Sequence, residues 1–351
     1  MKVLLVDDES RVREGLERIL PQVWSHDDEL EIISADSGPA ALACMEFDAA
    51  DLVLTDMRMP GMDGAQVLAR VSQRWPAAMR VVLSGYMEDD VAIRSARFAH
   101  QFLTKPCPPA ALEGVLDRAY GLTKILSCAH TRRVVGSLGS LPAAPRVYVE
   151  LKQLLDASDA DLRAISRVVE RDPALTAKTL QLVNSAFFSR RAPVSGVTDA
   201  VARIGLRTMQ ALAASAALYD AVSEGASGEL VDAIQRRAST LARVASDLGG
   251  PAAFLPAMLC DLGLLVLHTR RLEDDEGGLG AHPRVGAYLL TLWGFDDAVV
   301  DVVMRHHEEP PEGAGPVAVA VSFAARWLEG TITDGDIHAR YGRVPDRGSP
   351  P

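Results

Sequence analysis

Five short, mostly apolar runs, each closing on or followed by a polar residue, constrain this chain more than any other feature. They are KVLLV (2–6), EIISA (31–35), DLVLTD (51–56), RVVLS (80–84) and QFLTK (101–105). A continuous apolar run of this length reads as a strand covered on both faces. Between the runs, Val12, Leu16, Ile19, Leu20 and Val23 recur at helical spacing. Residues 38–47, residues 64–74 and the stretch from about Pro109 past Leu116 also read as helices. Strand and helix in alternation predict a five-stranded, doubly wound parallel sheet with helices on both faces.

In such a sheet, ligands bind at the carboxyl ends of the strands. The polar residues gather there. Asp7 and Asp8 follow the first strand, Asp56 ends the third, Ser84 the fourth and Lys105 the fifth. Two carboxylates roughly 4 Å apart repel by about 4 kcal/mol at an effective dielectric of roughly 20. A divalent cation relieves this, and an all-oxygen site suits Mg²⁺.

The spaced motifs VDDE, TDMRMPGMDG, LSGY and FLTKP resemble the flavodoxin-like receiver domain of two-component response regulators, over the whole of residues 1–122. The resemblance implies that Asp56 is the phosphoacceptor. It implies that Asp8, Asp56 and the backbone carbonyl of Arg58 bind Mg²⁺ directly, with Asp7 acting through water. Ser84 and Lys105 would hold the phosphoryl oxygens, Phe102 would be the switch aromatic, and the Lys105–Pro106 bond would be cis. Motion of Ser84 on phosphorylation would let Phe102 turn inward. The partner implied is a histidine kinase or phosphotransfer protein.

A chain of 351 residues has room for a second domain. Its net charge of −11 argues against broad nucleic-acid binding, and no direct DNA binding is expected. Cys44, Cys107, Cys128 and Cys260 show no CxxC spacing, which fits a reducing compartment. The apolar start VLLV is too short for a signal peptide, and no run reads as long enough to span a bilayer. A cytoplasmic protein is expected.

Leu112, Val115, Leu116, Ala119, Leu122, Ile125 and Leu126 carry helical spacing beyond the receiver. The linker over 123–135 is therefore either helical, and able to transmit a switch or form a homodimer seam, or frayed at Gly121 and Thr123. Residues 131–141 read as a hinge, because Gly136 and Gly139 precede Pro142.

Residues 136–330 read as all helix. Ser158 with Asp161 suggests a capping box, Asp172-Pro173 a helix start, and Thr198 with Gly205 the two ends of another helix. Residues 206–220 suggest a buried helix, and 224–228 and 274–280 suggest loops. The tail 331–351 reads as disordered. The stretches SLPAAP, VVERDPALTAKTLQLVNSAFF, AVARIGLRTMQ, AFLPAMLCDLG, HPRVGAYLLTLWGF and VVMRHHEEP resemble the HDOD domain, a helical relative of HD phosphohydrolases.

That resemblance implies an output module that binds a downstream signalling protein rather than an enzyme. The hydrolases use a His on an earlier helix and a His-Asp pair. This chain has no histidine between His130 and His268, and Cys260 stands before Asp261. Asp261, His282, His306 and His307 remain as a degenerate site. Asp261 is expected to be a hydrogen-bonded core carboxylate, with His306 as a partner and no stoichiometric metal. The alternative is a phosphorylation-gated, metal-dependent phosphohydrolase acting on a nucleotide or cyclic dinucleotide through those four residues.

Overall fold

A computed structural model describes residues 1–85, 98–138, 141, 145–156, 161–184, 194, 196–206, 208–209, 228–270 and 281–346. The chain divides into two compact units. One is built around Met1–Ser140, and the other is drawn mainly from Leu141–Leu180, Ser195–Leu290 and Phe295–Pro351.

The first unit holds β1 (Lys2–Val6), β2 (Glu31–Ala35), β3 (Leu52–Asp56), β4 (Met79–Ser84) and β5 (Gln101–Thr104). All pairings are parallel, in the order β2-β1-β3-β4-β5. This is the flavodoxin-like order, with its switch point between β1 and β3. Val3 pairs with Leu52, and Asp56 with Leu83, so the carboxyl ends of the strands come level. The continuous apolar runs predicted burial on both faces, and Val3–Val6 and Leu52–Leu54 are indeed buried.

Helices α1 (Ser10–Val23), α2 (Gly38–Phe47) and α3 (Gly64–Arg74) connect the early strands. Asp63 and Gln66 close a capping box at the start of α3. This capping holds the loop after β3 against the sheet. Helix α4 (Pro109–Ile125) buries Leu112, Val115, Leu116, Ala119 and Leu122. Gly121 and Thr123 do not fray it, because this apolar stripe runs through them.

The expected hinge at 131–141 needs correcting over 131–136, while Gly139 and Pro142 lie outside the described residues. Residues up to Gly136 form a further helix, α5 (Ala129–Gly136). A side chain at Gly136 would place its Cβ 2.1 Å from the Pro76 carbonyl oxygen, so glycine here allows close packing rather than bending. Buried Arg80 of β4 donates to the Gly136 carbonyl at 2.7 Å, and to the carbonyls of Phe98, Pro76 and Ala78. A sequence pattern carries no trace of so distant an anchor.

From Leu141 onward there is no strand among the described residues. The helices are α6 (Pro145–Asp156), α7 (Leu162–Val169), α8 (Pro173–Val183), α9 (Val197–Ile204) and α10 (Gly228–Gly249). After a 3₁₀ turn at Pro251–Ala253 come α11 (Phe254–Leu259), α12 (Leu262–Arg270), α13 (His282–Leu292), α14 (Asp297–Arg305), α15 (Pro316–Leu328) and α16 (Asp334–Tyr341). Asp172 accepts the Leu175 amide at 2.9 Å and so begins α8 as expected.

Other details differ from the sequence reading. Asp161 itself caps α7 by accepting from the Arg163 amide, while Ser158 lies outside the described residues. Gly196 caps α9, so Thr198 sits inside it; Gly205 closes it with φ +78°. Gly228 begins a helix rather than ending a loop, and most of 206–220, with 224–227 and 274–280, lies outside the described residues.

The tail expected to be disordered contains α16, while 347–351 lies outside the described residues. Thr333 and Asp336 form its capping box, Ile337 is buried, and Trp327 donates its indole N–H to Asp334 at 2.7 Å. One apolar contact and local caps suffice to order a polar segment. Pro251–Arg270 also passes the length and hydropathy requirement for a membrane span, at mean hydropathy 1.7, contrary to the sequence reading. Within the protein 72% of its apolar window is buried, and the helix breaks at Cys260–Asp261. It is core to this unit.

Candidate functional site

At the carboxyl edge of the sheet, the Lys105 ammonium donates to Asp7 Oδ2 at 2.6 Å and also pairs with Asp56 Oδ1. The second Asp56 oxygen accepts the Arg58 amide at 2.7 Å. Asp7 Oδ1 accepts the Glu9 amide at 2.9 Å, and Arg13 donates to the Asp7 carbonyl. Asp7 is buried, Asp56 is 8% exposed, and Asp8 is open to solvent. Burial disfavours the charge on Lys105, but Asp56 and Asp7 outweigh it and raise its pKa above that of free lysine.

Ser84 ends β4, and its carbonyl takes the Lys105 amide at 2.9 Å. The Lys105–Pro106 bond is cis. Phe102 is buried. Burial pushes the Cys107 thiol up to about 11, so it is not a thiolate at neutral pH. A Cβ at Gly64 would sit 2.2 Å from the Asp56 carbonyl oxygen, so glycine lets α3 begin directly behind the carboxylate.

A second polar cluster lies in the helical unit. Asp261, at the break between α11 and α12, has 0% exposure. Arg237 of α10 donates from Nε to Asp261 Oδ2 at 3.0 Å, and from Nη2 to Glu329 at 2.6 Å. Glu329 in turn pairs with His307 Nδ1 at 2.9 Å. His282 Nε2 lies 3.8 Å from Asp261 Oδ1, too far for a hydrogen bond. A Cβ at Gly263 would fall 1.9 Å from the His282 carbonyl oxygen, so this glycine brings the start of α12 onto α13 and Asp261 beside His282.

Burial raises the pKa of Asp261, although Arg237 pulls it down. Burial, with His307 nearby, lowers His306 well below an ordinary histidine and keeps its ring neutral. Cys260 donates its thiol to the Pro256 carbonyl, and burial raises its pKa well above the usual value. It does not supply a thiolate.

Residues 3–117 match the response regulator receiver domain, and residues 141–280 match the HDOD domain. The chain joins a receiver domain to an HDOD domain. The receiver is similar to the hydrogenase transcriptional regulatory protein HoxA of Cupriavidus necator, at 35% identity over 33% of this chain and 23% of HoxA. It is also similar to the response regulator protein FleR of Pseudomonas aeruginosa, at 36% identity over 33% of this chain and 24% of FleR. The matched part is thus about a quarter of those relatives. An uncharacterized protein of Treponema pallidum matches at 24% identity over 56% of this chain and 44% of its own. Among solved structures, the MmoQ response regulator of Methylococcus capsulatus aligns at 23% identity and TM-score 0.47, over 59% of this chain and 95% of that one.

Receiver domains bind Mg²⁺ at the phosphorylation site and interact with a histidine kinase or phosphotransfer partner. The residues here fit the ion: Asp7, Asp8, Asp56 and the Arg58 carbonyl offer only oxygen, and a single ammonium bridges two of the three carboxylates. All of the receiver residues named from sequence lie at or next to this edge.

The HDOD residues need one correction. His306 does not bond Asp261; its Nδ1 bonds the Val303 carbonyl at 2.7 Å. The partner of Asp261 is Arg237, which sequence reasoning missed along with Glu329. Arg237 lies 24 positions before Asp261 on another helix, and no spacing links the two.

Proposed function

We propose that this chain is a phosphorelay response regulator in which Asp56 accepts a phosphoryl group and governs a non-catalytic HDOD output module. What carries the reading is Lys105 bridging Asp7 and Asp56 at the carboxyl edge of the sheet. Lys105 holds one oxygen of Asp56 and the Arg58 amide holds the other, so the carboxylate is oriented before a donor arrives. An Asp56 oxygen forms the new P–O bond as the donor's P–N bond breaks. Mg²⁺, held by Asp8, Asp56 and the Arg58 carbonyl beside Asp7, would supply charge neutralisation on the phosphoryl oxygens.

Lys105 then follows the phosphoryl oxygens, with Ser84 at the adjacent strand end. Motion of Ser84 toward the phosphoryl group would let Phe102, which is buried on β5, turn inward and alter the surface of the last strand and helix. The chain acts in the cytoplasm; its receiver takes a phosphoryl group from a histidine kinase or phosphotransfer protein, and its HDOD module contacts a downstream signalling protein. We take residues 1–122 as the receiver and 136–330 as the output module.

Arg237 supports the non-catalytic assignment of the HDOD module. It places a fixed guanidinium on Asp261, where a hydrolase needs an exchangeable metal with an open position for water. The test is to treat the full chain with phosphoramidate and Mg²⁺ and read the intact mass. One phosphoryl adduct is expected in the native chain and none in Asp56→Asn. An equal adduct in Asp56→Asn would refute the assignment. Metal-dependent turnover of nucleotides or cyclic dinucleotides, lost in Asp261→Ala, would establish the hydrolase instead.

A further inference from the structure

Three histidine rings gather beside the buried Asp261, two of them with their tautomers already set. His306 Nδ1 is 2.7 Å from the Val303 carbonyl, so Nδ1 carries the proton and Nε2 a lone pair. That Nε2 is buried without a hydrogen-bond partner. His307 Nδ1 is 2.9 Å from the Glu329 carboxylate, so its Nε2 is likewise a lone-pair acceptor. It lies 3.2 Å from His282 Nε2. Asp261 Oδ1, also buried without a hydrogen bond, lies 3.8 Å from the same His282 nitrogen. The three rings each offer a nitrogen within 4.8 Å of the others.

Two buried orphan acceptors in one cluster are costly unless something binds both. A proton shared between His282 and His307 would satisfy that pair but leave His306 Nε2 and Asp261 Oδ1 empty. A tetrahedral ion with bonds of about 2.0–2.1 Å sets its ligands about 3.3 Å apart. The His282–His307 separation already matches that edge, and ligation would draw His306 and Asp261 Oδ1 in from longer distances. Metal-bound histidines characteristically give their other N–H to a carboxylate or backbone carbonyl. His307 and His306 do so here through Glu329 and Val303.

We propose that His282, His306, His307 and Asp261 Oδ1 bind one divalent transition-metal ion of the imidazole-preferring class, such as Zn²⁺. This reverses the expectation of a metal-free HDOD module. Three of the four ligands lie beyond the segment that matches the HDOD family, residues 141–280. The ion is single, because Arg237 already occupies the other oxygen of Asp261 and one side of Glu329. Four protein ligands leave no open position, so the site cross-links the α11–α12 break, the start of α13 and the end of α14 without hydrolysing anything. His306 also lines a cleft of about 140 Å³ that carries Asp301, Arg305, Glu308 and Glu309, a net acidic approach for a cation.

The test uses the full chain, freed of metal with EDTA, held in excess Mg²⁺ to occupy the receiver, and titrated with Co²⁺. One equivalent is expected to bind with the intense visible absorption of a tetrahedral site, and Zn²⁺ is expected to displace it. Asp56→Asn should keep the spectrum. His306→Gln should abolish it. His307→Gln, at a half-exposed position and therefore tolerant of substitution, should abolish it too. Glu329→Gln should weaken binding about 10- to 100-fold through loss of the outer hydrogen bond. Absence of a tetrahedral spectrum at excess Co²⁺ would overturn the proposal. So would a spectrum that persists in both histidine variants or disappears in Asp56→Asn.

Discussion

Lys178 offers a direct test of the energetics of the helical unit. It lies on α8, is only 7% exposed, and burial lowers its pKa from 10.5 to about 7. Each pKa unit corresponds to about 1.4 kcal/mol, so this shift amounts to a penalty of about 5 kcal/mol for charging the buried amine. The unfolded chain keeps the proton up to pH 10.5, while the folded chain releases it at about 7. Between those values the unfolded state binds more protons, so stability rises with pH. The penalty is complete below pH 7 and gone above 10.5.

Lys178→Met keeps the length of the stem and removes the amine. It should stabilise the helical unit by about 2–5 kcal/mol at pH 6.5, and by about 1 kcal/mol at pH 9.5. The assay is guanidinium unfolding of the full chain at pH 6.5, 8 and 9.5, followed by the fluorescence of buried Trp327 with Trp24, Trp75 and Trp293 replaced by Phe in both variant and reference. Taking the difference between variant and native chain cancels groups common to both. A difference that stays flat across this range would refute the reasoning.

Three further outcomes follow from the packing. Gly64→Ala should cost about 1–3 kcal/mol by overpacking and sharply reduce phosphoryl incorporation, since its Cβ meets the Asp56 carbonyl; intact mass after phosphoramidate treatment reads this. Arg237→Met, measured in EDTA, should destabilise by about 3–5 kcal/mol by leaving Asp261 charged and alone, and adding Asp261→Asn should recover much of that loss in thermal unfolding. Arg80→Met should strip the donor from four carbonyls and speed hydrogen exchange in residues 129–136 more than in α1.

The receiver was legible because its chemistry is local to strand ends. Apolar runs fix the strands, the alternation fixes parallel pairing, and parallel pairing brings Asp7, Asp56, Ser84 and Lys105 to one edge. The same locality made α2 and α3 readable to the residue, at Gly38–Phe47 and Gly64–Arg74. Where an apolar contact or an anchor comes from far along the chain, sequence was a poor guide. Arg80 converts an apparent hinge into α5, and α16 is ordered by buried Ile337 and the Trp327–Asp334 bond.

The helical unit shows the limit most clearly. Sequence alone marked Asp261, His282, His306 and His307 as the residues with chemistry to offer, and Cys260 as a break in the hydrolase pattern. It could not supply what faces them, because helix periodicity reports which side of a helix is buried and not what it is buried against. Only tertiary packing put Arg237 on one oxygen of Asp261, left the other 3.8 Å from His282, and gathered three imidazoles into one cluster. The identity of a buried carboxylate's partner is a property of three-dimensional proximity, which no spacing along the chain encodes.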